Sequence, residues 1–314
     1  MSFLELCRFL MSKNFLRWSV YILLCIIWGS SFKLMKDSSA GLNPVQIAAL
    51  RIFSAGLVFV PFALFHIRDI PRSRTGTVIL SAVFGNLLPA FLFAASMSRI
   101  DGSLGGILNS LTPICVVLVG IIFFRDKIKA RKVAGVLVGF LGVTLLVLAP
   151  VLLGQKTISF QNIGYVLLIP LATLLYGINV NMVSHYLRGL HPVKVATVSL
   201  AFMTIPTLIV LWQQSFFAID FHSKAVTHAV LNSVLLGVAG SAVATALFYI
   251  LVQRAGGLFA SLVTYGIPFV ALGWGFIDHE KITWVQIVSL GVILLGVYMA
   301  NRPEKKQAAP ADAA

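Results

Sequence analysis

The sequence predicts an all-α integral membrane protein of ten transmembrane helices in two inverted five-helix repeats. Three observations carry that expectation: a composition that only lipid can solvate, basic residues concentrated in the gaps between apolar runs, and two halves that match at a nearly constant offset. Of 314 residues, 59% are hydrophobic and 11% charged, a balance that in water would leave large apolar patches uncovered. Each span needs roughly 20 apolar residues to cross about 30 Å of hydrocarbon, so the length accommodates ten spans with short loops and no separate soluble domain.

Apolar runs bounded by charge or turn signals place the spans at 18–36, 45–65, 76–97, 103–124, 132–153, 162–185, 193–212, 227–252, 257–277 and 283–300. The charges test this independently, because cytoplasmic loops collect Lys and Arg. With the amino terminus inside, most of the 24 basic residues fall on the cytoplasmic side, including the run Arg125, Lys127, Lys129, Arg131 and Lys132. An odd span count would put Arg302, Lys305 and Lys306 outside, so both termini are expected in the cytoplasm. This topology also accounts for the net charge of +14 without a nucleic-acid partner.

The expected division is a cytoplasmic segment 1–17, a first repeat 18–153, a second repeat 154–300 and a disordered cytoplasmic tail 301–314. Glu5, Arg8, Lys13 and Arg17 interrupt any cleavable signal, so the first span reads as an uncleaved anchor. Cys7, Cys25 and Cys115 are too scattered for a disulfide framework or a metal site, and no cofactor is expected.

The repeats are read from matched blocks. Trp28-Gly29 corresponds to Tyr176-Gly177, and Asn43-Pro44-Val45 to His191-Pro192-Val193, both displaced by 148 residues. Arg99 pairs with Arg254 and Pro113 with Pro268 at 155; Lys127-Ile128 meets Lys281-Ile282 and Gly142-Val143 meets Gly296-Val297 at 154. With five spans each, the second half enters the membrane from the opposite side, an architecture suited to a carrier that opens alternately to each side.

Trp28-Gly29-Ser30-Ser31-Phe32, Pro44 with Arg51, Leu111-Thr112-Pro113 and Phe123-Phe124 stand in order in the first repeat. Tyr265-Gly266-Ile267-Pro268 and Glu280-Lys281-Ile282 follow in the second. In this the chain resembles the EamA-like branch of the drug/metabolite transporter superfamily over nearly its whole length. It departs from that pattern at Asp126, where the family often places Glu, and at Ser199, the counterpart of Arg51. The resemblance implies efflux of metabolites or amino-acid-like solutes through a plasma membrane, or an inner membrane in a Gram-negative cell.

Polar groups at mid-span depth need partners in lipid and point to a cavity. Trp28, Ser31 and Met35 share one helical face; Tyr176, Asn179 and Val183 are their counterparts. An aromatic ring followed three residues later by a polar group therefore recurs, giving an expected substrate wall. Asn86, its counterpart Ser241, Thr245, Tyr249, Asn109 and Thr264 extend the candidate lining, and Arg51 is read either as a carboxylate partner or as an anchor. Pro113 and Pro268 are candidate paired hinges, and Gly135 with Gly139 predicts close helix contact within the chain.

All ten acidic residues fall at span ends, in loops or in tails, which disfavours proton coupling and organic-cation binding through an intramembrane carboxylate. His185 reads as a solvated histidine near the end of the sixth span. The expected function is thus a carrier for small neutral or zwitterionic metabolites, with a small molecule and the bilayer as partners, working as monomer or homodimer. A non-transporting scaffold or an intramembrane enzyme is the alternative, but no nucleophile–base pair or HExxH motif supports an enzyme.

Overall fold

The computed structural model describes residues 13–100, 102–152, 163–277 and 284–301, and every regular element among them is helical. In chain order the first half contains α1 (Lys13–Ser38), α2 (Pro44–His66), α3 (Arg72–Met97), α4 (Gly102–Asn109), α5 (Thr112–Phe124) and α6 (Ala130–Leu152). The second contains α7 (Ile163–His185), α8 (Pro192–Gln213), α9 (Lys224–Ala255), α10 (Gly257–Ser261), α11 (Val263–Ile277) and α12 (Trp284–Asn301). The segments expected at 1–12 and 302–314, and the motif at 280–282, lie outside the described residues.

Six helices, α1 to α3 and α7 to α9, are long and apolar enough to cross a membrane, so the protein is a multi-pass membrane protein. Its outer surface agrees: Phe65, Phe123 and Trp212 are 77%, 74% and 78% exposed, a liability in water but ordinary against acyl chains. The Pro-Val match between halves proves to be a helix start, with Pro44 and Pro192 each opening a helix. Asn43 Oδ1 accepts from the Gln46 N–H at 2.9 Å while Gln46 Oε1 accepts from the Asn43 N–H at 3.0 Å, a reciprocal cap with Pro44 in the first turn.

Several expected continuous spans are interrupted. Residues 110 and 111 separate α4 from α5, Leu262 separates α10 from α11, and Met203 breaks α8. A π-turn interrupts α3 at Val83–Leu87, and another interrupts α9 at Val238–Val243. Pro89 and Pro113 lie in the first turn of a restarted segment and Pro206 is third in its own, positions where a missing N–H costs little. Pro61, Pro170 and Pro268 sit inside helices.

The halves pack crosswise. α1 of the first half lies against α11 of the second, and their counterparts α7 and α5 lie against each other. Likewise α7 packs on α3 while α1 packs on α9. The glycine of each aromatic-Gly motif makes the first of these contacts possible. A Cβ on Gly29 would stand 2.5 Å from Val270 Cβ, and one on Gly177 2.9 Å from the backbone of Cys115.

Two repeat-related pairs, α2 with α8 and α6 with α12, pack directly on each other. Both pairs run antiparallel. At one end of α2, Gln46 Nε2 donates to Gln214 O at 3.0 Å; at the other, Lys194 Nζ lies 2.7 Å from Asp69 Oδ2. Between them, a Cβ on Gly56 would collide with Thr204. On α6, added Cβ atoms at Gly135 and Gly142 would meet Ala300 N at 2.5 Å and Ile293 N at 2.7 Å, so the partner descends as α6 ascends. The expected intrachain contact of Gly135 and Gly139 is therefore present, with Gly296 and Tyr265 facing them.

Because a Cβ at Gly296 would strike the backbone of Gly139, Gly296→Val should force α6 and α12 apart. A loss of about 1–3 kcal/mol is expected. A thermal melt in detergent checks this: the midpoint should fall by several degrees, whereas an unchanged midpoint would show that the two helices do not touch as described.

Candidate functional site

One cavity of about 90 Å³ lies where the crossed helices converge. α1 contributes Trp28, Ser31, Phe32 and Met35; α2 contributes Arg51; α3 contributes Gly85, Asn86 and Phe93; Asn109 and Thr112 flank the α4–α5 break. From the second half come Tyr176, Asn179 and Val180 on α7, Gly240, Thr245, Phe248 and Tyr249 on α9, and Ser261, Thr264 and Ile267 around the α10–α11 break.

Ten of the eleven expected site residues thus share one wall. The eleventh, Ser241, is buried and accepts a hydrogen bond from Arg51 Nε at 2.8 Å. Val183 packs in the core, and Ser199 is buried with its hydroxyl donating to Ala196 O at 3.1 Å. His185 is exposed at the end of α7, as expected of a solvated histidine, and its Nε2 also lies 2.9 Å from Asp126 Oδ1, tying the ends of α7 and α5.

Two aromatic pairs cross between halves. Trp28 packs on Phe248 with ring centroids 5.2 Å apart, and Tyr176 stacks on Phe93 at 6.1 Å. Phe93 and Phe248 were not singled out by polarity, because a phenylalanine in an apolar span carries no such signal. They are nevertheless identical residues at the 155-residue offset, as are Gly85 and Gly240. Repeat matching restricted to α3 and α9 would have found all four.

The π-turn in α3 places Gly85 and Asn86 on the cavity lining, and the one in α9 places Gly240 there. In an α-helix the backbone closes on itself, whereas a π-turn adds a residue and re-aims side chains, which is why such turns recur at functional sites. Gly85 lies against Asn179 and Gly240 against Ser31, again counterparts. Trp28 Nε1 donates to Gly240 O at 3.0 Å, holding α1 to the turn in α9.

The polar lining is only partly satisfied. Thr245 Oγ1 donates to Asn86 Oδ1 at 2.8 Å, which leaves Asn86 Nδ2 without an acceptor among the described residues. Tyr249 OH donates to Ser81 Oγ at 3.4 Å, and Asn179 Oδ1 has no donor among the described residues. Thr112 and Thr264 bond back to Asn109 O and Ser261 O at 2.7 and 2.9 Å, satisfying hydroxyls where the helices break. The described acids, Asp37, Asp69, Asp126 and Asp220, all stand off this lining.

Crossed helical halves around a partly polar central cavity describe a multi-pass membrane protein with one site between its halves. The chain belongs to the EamA-like transporter family, whose model matches residues 17–148 and 163–302, and hence to the drug/metabolite transporter superfamily. A protein of Archaeoglobus fulgidus described as an uncharacterized transporter is 24% identical over 292 residues, covering 91% of this chain and 99% of the relative. A WAT1-related chloroplastic protein of Arabidopsis thaliana is 24% identical over 299 residues, covering 93% and 70%. A Synechocystis protein, also described as an uncharacterized transporter, is 25% identical, covering 89% and 88%. One solved crystal structure shares the fold with a TM-score of 0.69 at 16% identity, covering 90% of this chain and 95% of its own.

Gly85 and Gly76 lie on the same helix in opposite situations. A Cβ at Gly85 would overlap Asn179, whereas nothing lies within 4 Å of one at Gly76. Gly76→Ala should stabilise the protein by up to about 1 kcal/mol through helix propensity, and Gly85→Ala should destabilise it. Thermal melts of both variants in detergent test this; equal shifts of the same sign would remove Gly85 from contact with Asn179.

Proposed function

We propose that this protein is a secondary carrier that moves small metabolites, amino-acid-like or other neutral or zwitterionic solutes, out of the cell by alternating access. In this reading ten helices span the plasma membrane, or the inner membrane of a Gram-negative cell, with both termini in the cytoplasm and the two halves inserted oppositely. The supporting observation is that repeat-related helices pack antiparallel around one cavity lined by both halves. Exchanging the conformations of two such halves moves the opening from one face to the other while the site stays in place.

The cavity supports an occluded or contracted conformation. Ligand sites for drug-sized molecules span roughly 300–1,000 Å³, and about 90 Å³ must widen before a metabolite enters. Pro113, in the first turn after the α4–α5 break, and Pro268, inside α11, are the proposed hinges for that movement. The wall residues Trp28, Tyr176 and Asn179 hold the substrate: rings pack on its apolar body and the amide meets its polar end.

A thermal-shift screen of the purified protein against amino acids, nucleosides and vitamins should find one class that raises the melting temperature. That class should show saturable counterflow in proteoliposomes. Trp28→Ala, Tyr176→Ala and Asn179→Ala should abolish both signals while the protein stays folded, and Pro113→Ala with Pro268→Ala should slow exchange. Absence of saturable exchange for a compound that binds the wall would sink the carrier reading.

A further inference from the structure

Building on the carrier reading, we propose that Arg51 selects the substrate by its carboxylate: among amino-acid-like solutes the cavity recognises those whose carboxylate pairs with the guanidinium, over the corresponding amides and over amines that lack one. Arg51 projects from α2 to the cavity wall, deep between the helices. Its Nε is committed to Ser241. No described carboxylate pairs with it: Asp69 and Asp126 engage Lys194, His66 and His185 at the helix ends, and Asp37 and Asp220 stand off the cavity lining. A guanidinium removed from water without an anion is held at a cost, and an anion that enters beside it relieves that cost. The planar fork of donors left after the Ser241 bond matches a carboxylate.

Two further groups on the same wall are unsatisfied, and each is more than nine-tenths buried. Among the described residues, Asn86, 8% exposed, presents an Nδ2 with no acceptor, and Asn179, 3% exposed, presents an Oδ1 with no donor. The site therefore offers one positive charge, one spare donor and one spare acceptor. A carboxylate would engage Arg51 and could also take the Asn86 donor, while a neighbouring hydroxyl or amino group on the substrate would serve Asn179. The crossed aromatic pairs enclose an apolar body.

The number of charges follows from the repeat. Ser199 stands where a second arginine would be, and it is buried with its hydroxyl satisfied within its own helix. One cation without an anionic partner among the described residues favours a single carboxylate. An amine would bring a second positive charge to a cavity that holds no described acid, which repulsion and desolvation both oppose.

Benzoate, benzamide and benzylamine carry one ring and three head groups, and they test the assignment without knowledge of the physiological substrate. Binding to the purified full-length protein is read by thermal shift and by the fluorescence of its tryptophans, for the parent, Arg51→Gln, Arg51→Lys and Ser241→Ala. The parent should bind benzoate about tenfold or more tightly than benzamide, as a charge-assisted hydrogen bond implies, and should not bind benzylamine. Arg51→Gln should erase the preference for acid over amide, and Arg51→Lys should keep part of it. Should Arg51→Gln fail to fold, Ser241→Ala, which frees Nε, should change benzoate affinity and leave benzamide affinity unaltered.

Equal binding of benzoate and benzamide by the parent, binding of benzylamine, or a preference that survives in Arg51→Gln overturns the proposal. So does absence of binding by all three compounds. The carrier reading fails separately: a preferred acid that binds but shows no counterflow in proteoliposomes sinks transport and leaves the charge selection standing.

Discussion

Close approach of helices from opposite halves is the constraint on which the rest depends, and glycine supplies it. Between helices in a bilayer there is no water to expel, so association rests on van der Waals contact and interhelical hydrogen bonds, which need small residues at the contact. Gly29 and Gly177 seat α1 and α7 against α11 and α5 of the other half. Gly296, with Gly135 and Gly142, joins α6 to α12. Once the halves are interleaved in this way, neither encloses a cavity alone, and every wall of the site has a contribution from each.

The frame is two-fold related in position and unequal in chemistry. Trp28 faces Phe248 as Tyr176 faces Phe93, and Ser31 lies by Gly240 as Asn179 lies by Gly85. Duplication explains these correspondences without reference to any ligand. What duplication does not explain is Arg51 opposite a buried Ser199, or Asn86 opposite a Ser241 that braces the arginine. Divergence at Arg51 and Ser199 gives the described lining one sign of charge within a nearly symmetric frame.

The sequence made the helical class legible because lipid leaves few alternatives: long apolar runs with unpaired backbone groups must be helices. The site was legible for a related reason. A serine or asparagine at mid-span is conspicuous against Leu and Val, and Ser31, Asn86, Asn109, Asn179, Thr245 and Thr264 all reach the cavity. Phe93 and Phe248 were hidden because aromatic residues serve equally on lipid-facing surfaces. The π-turns were hidden because hydrogen-bond slippage by one residue leaves no compositional mark. The breaks near residues 110 and 262 were hidden as well, since their bounds, Asn109 to Thr112 and Ser261 to Val263, contain no Gly or Pro. The pairing of His185 with Asp126 required knowing that the ends of α7 and α5 meet, which span prediction does not supply.

The proposed opposite insertion of the two halves makes one demand that a single labelling experiment can meet. Ala40 and Arg188 are repeat counterparts at the 148-residue offset, both exposed in the turns that follow α1 and α7. In a variant lacking Cys7, Cys25 and Cys115, Ala40→Cys and Arg188→Cys can each be exposed to a membrane-impermeant thiol reagent on intact cells. Labelling of position 40 from outside, with position 188 reached only after permeabilisation, is the result this architecture requires. Labelling of both positions from the same side would contradict it and take the shared, two-sided cavity with it.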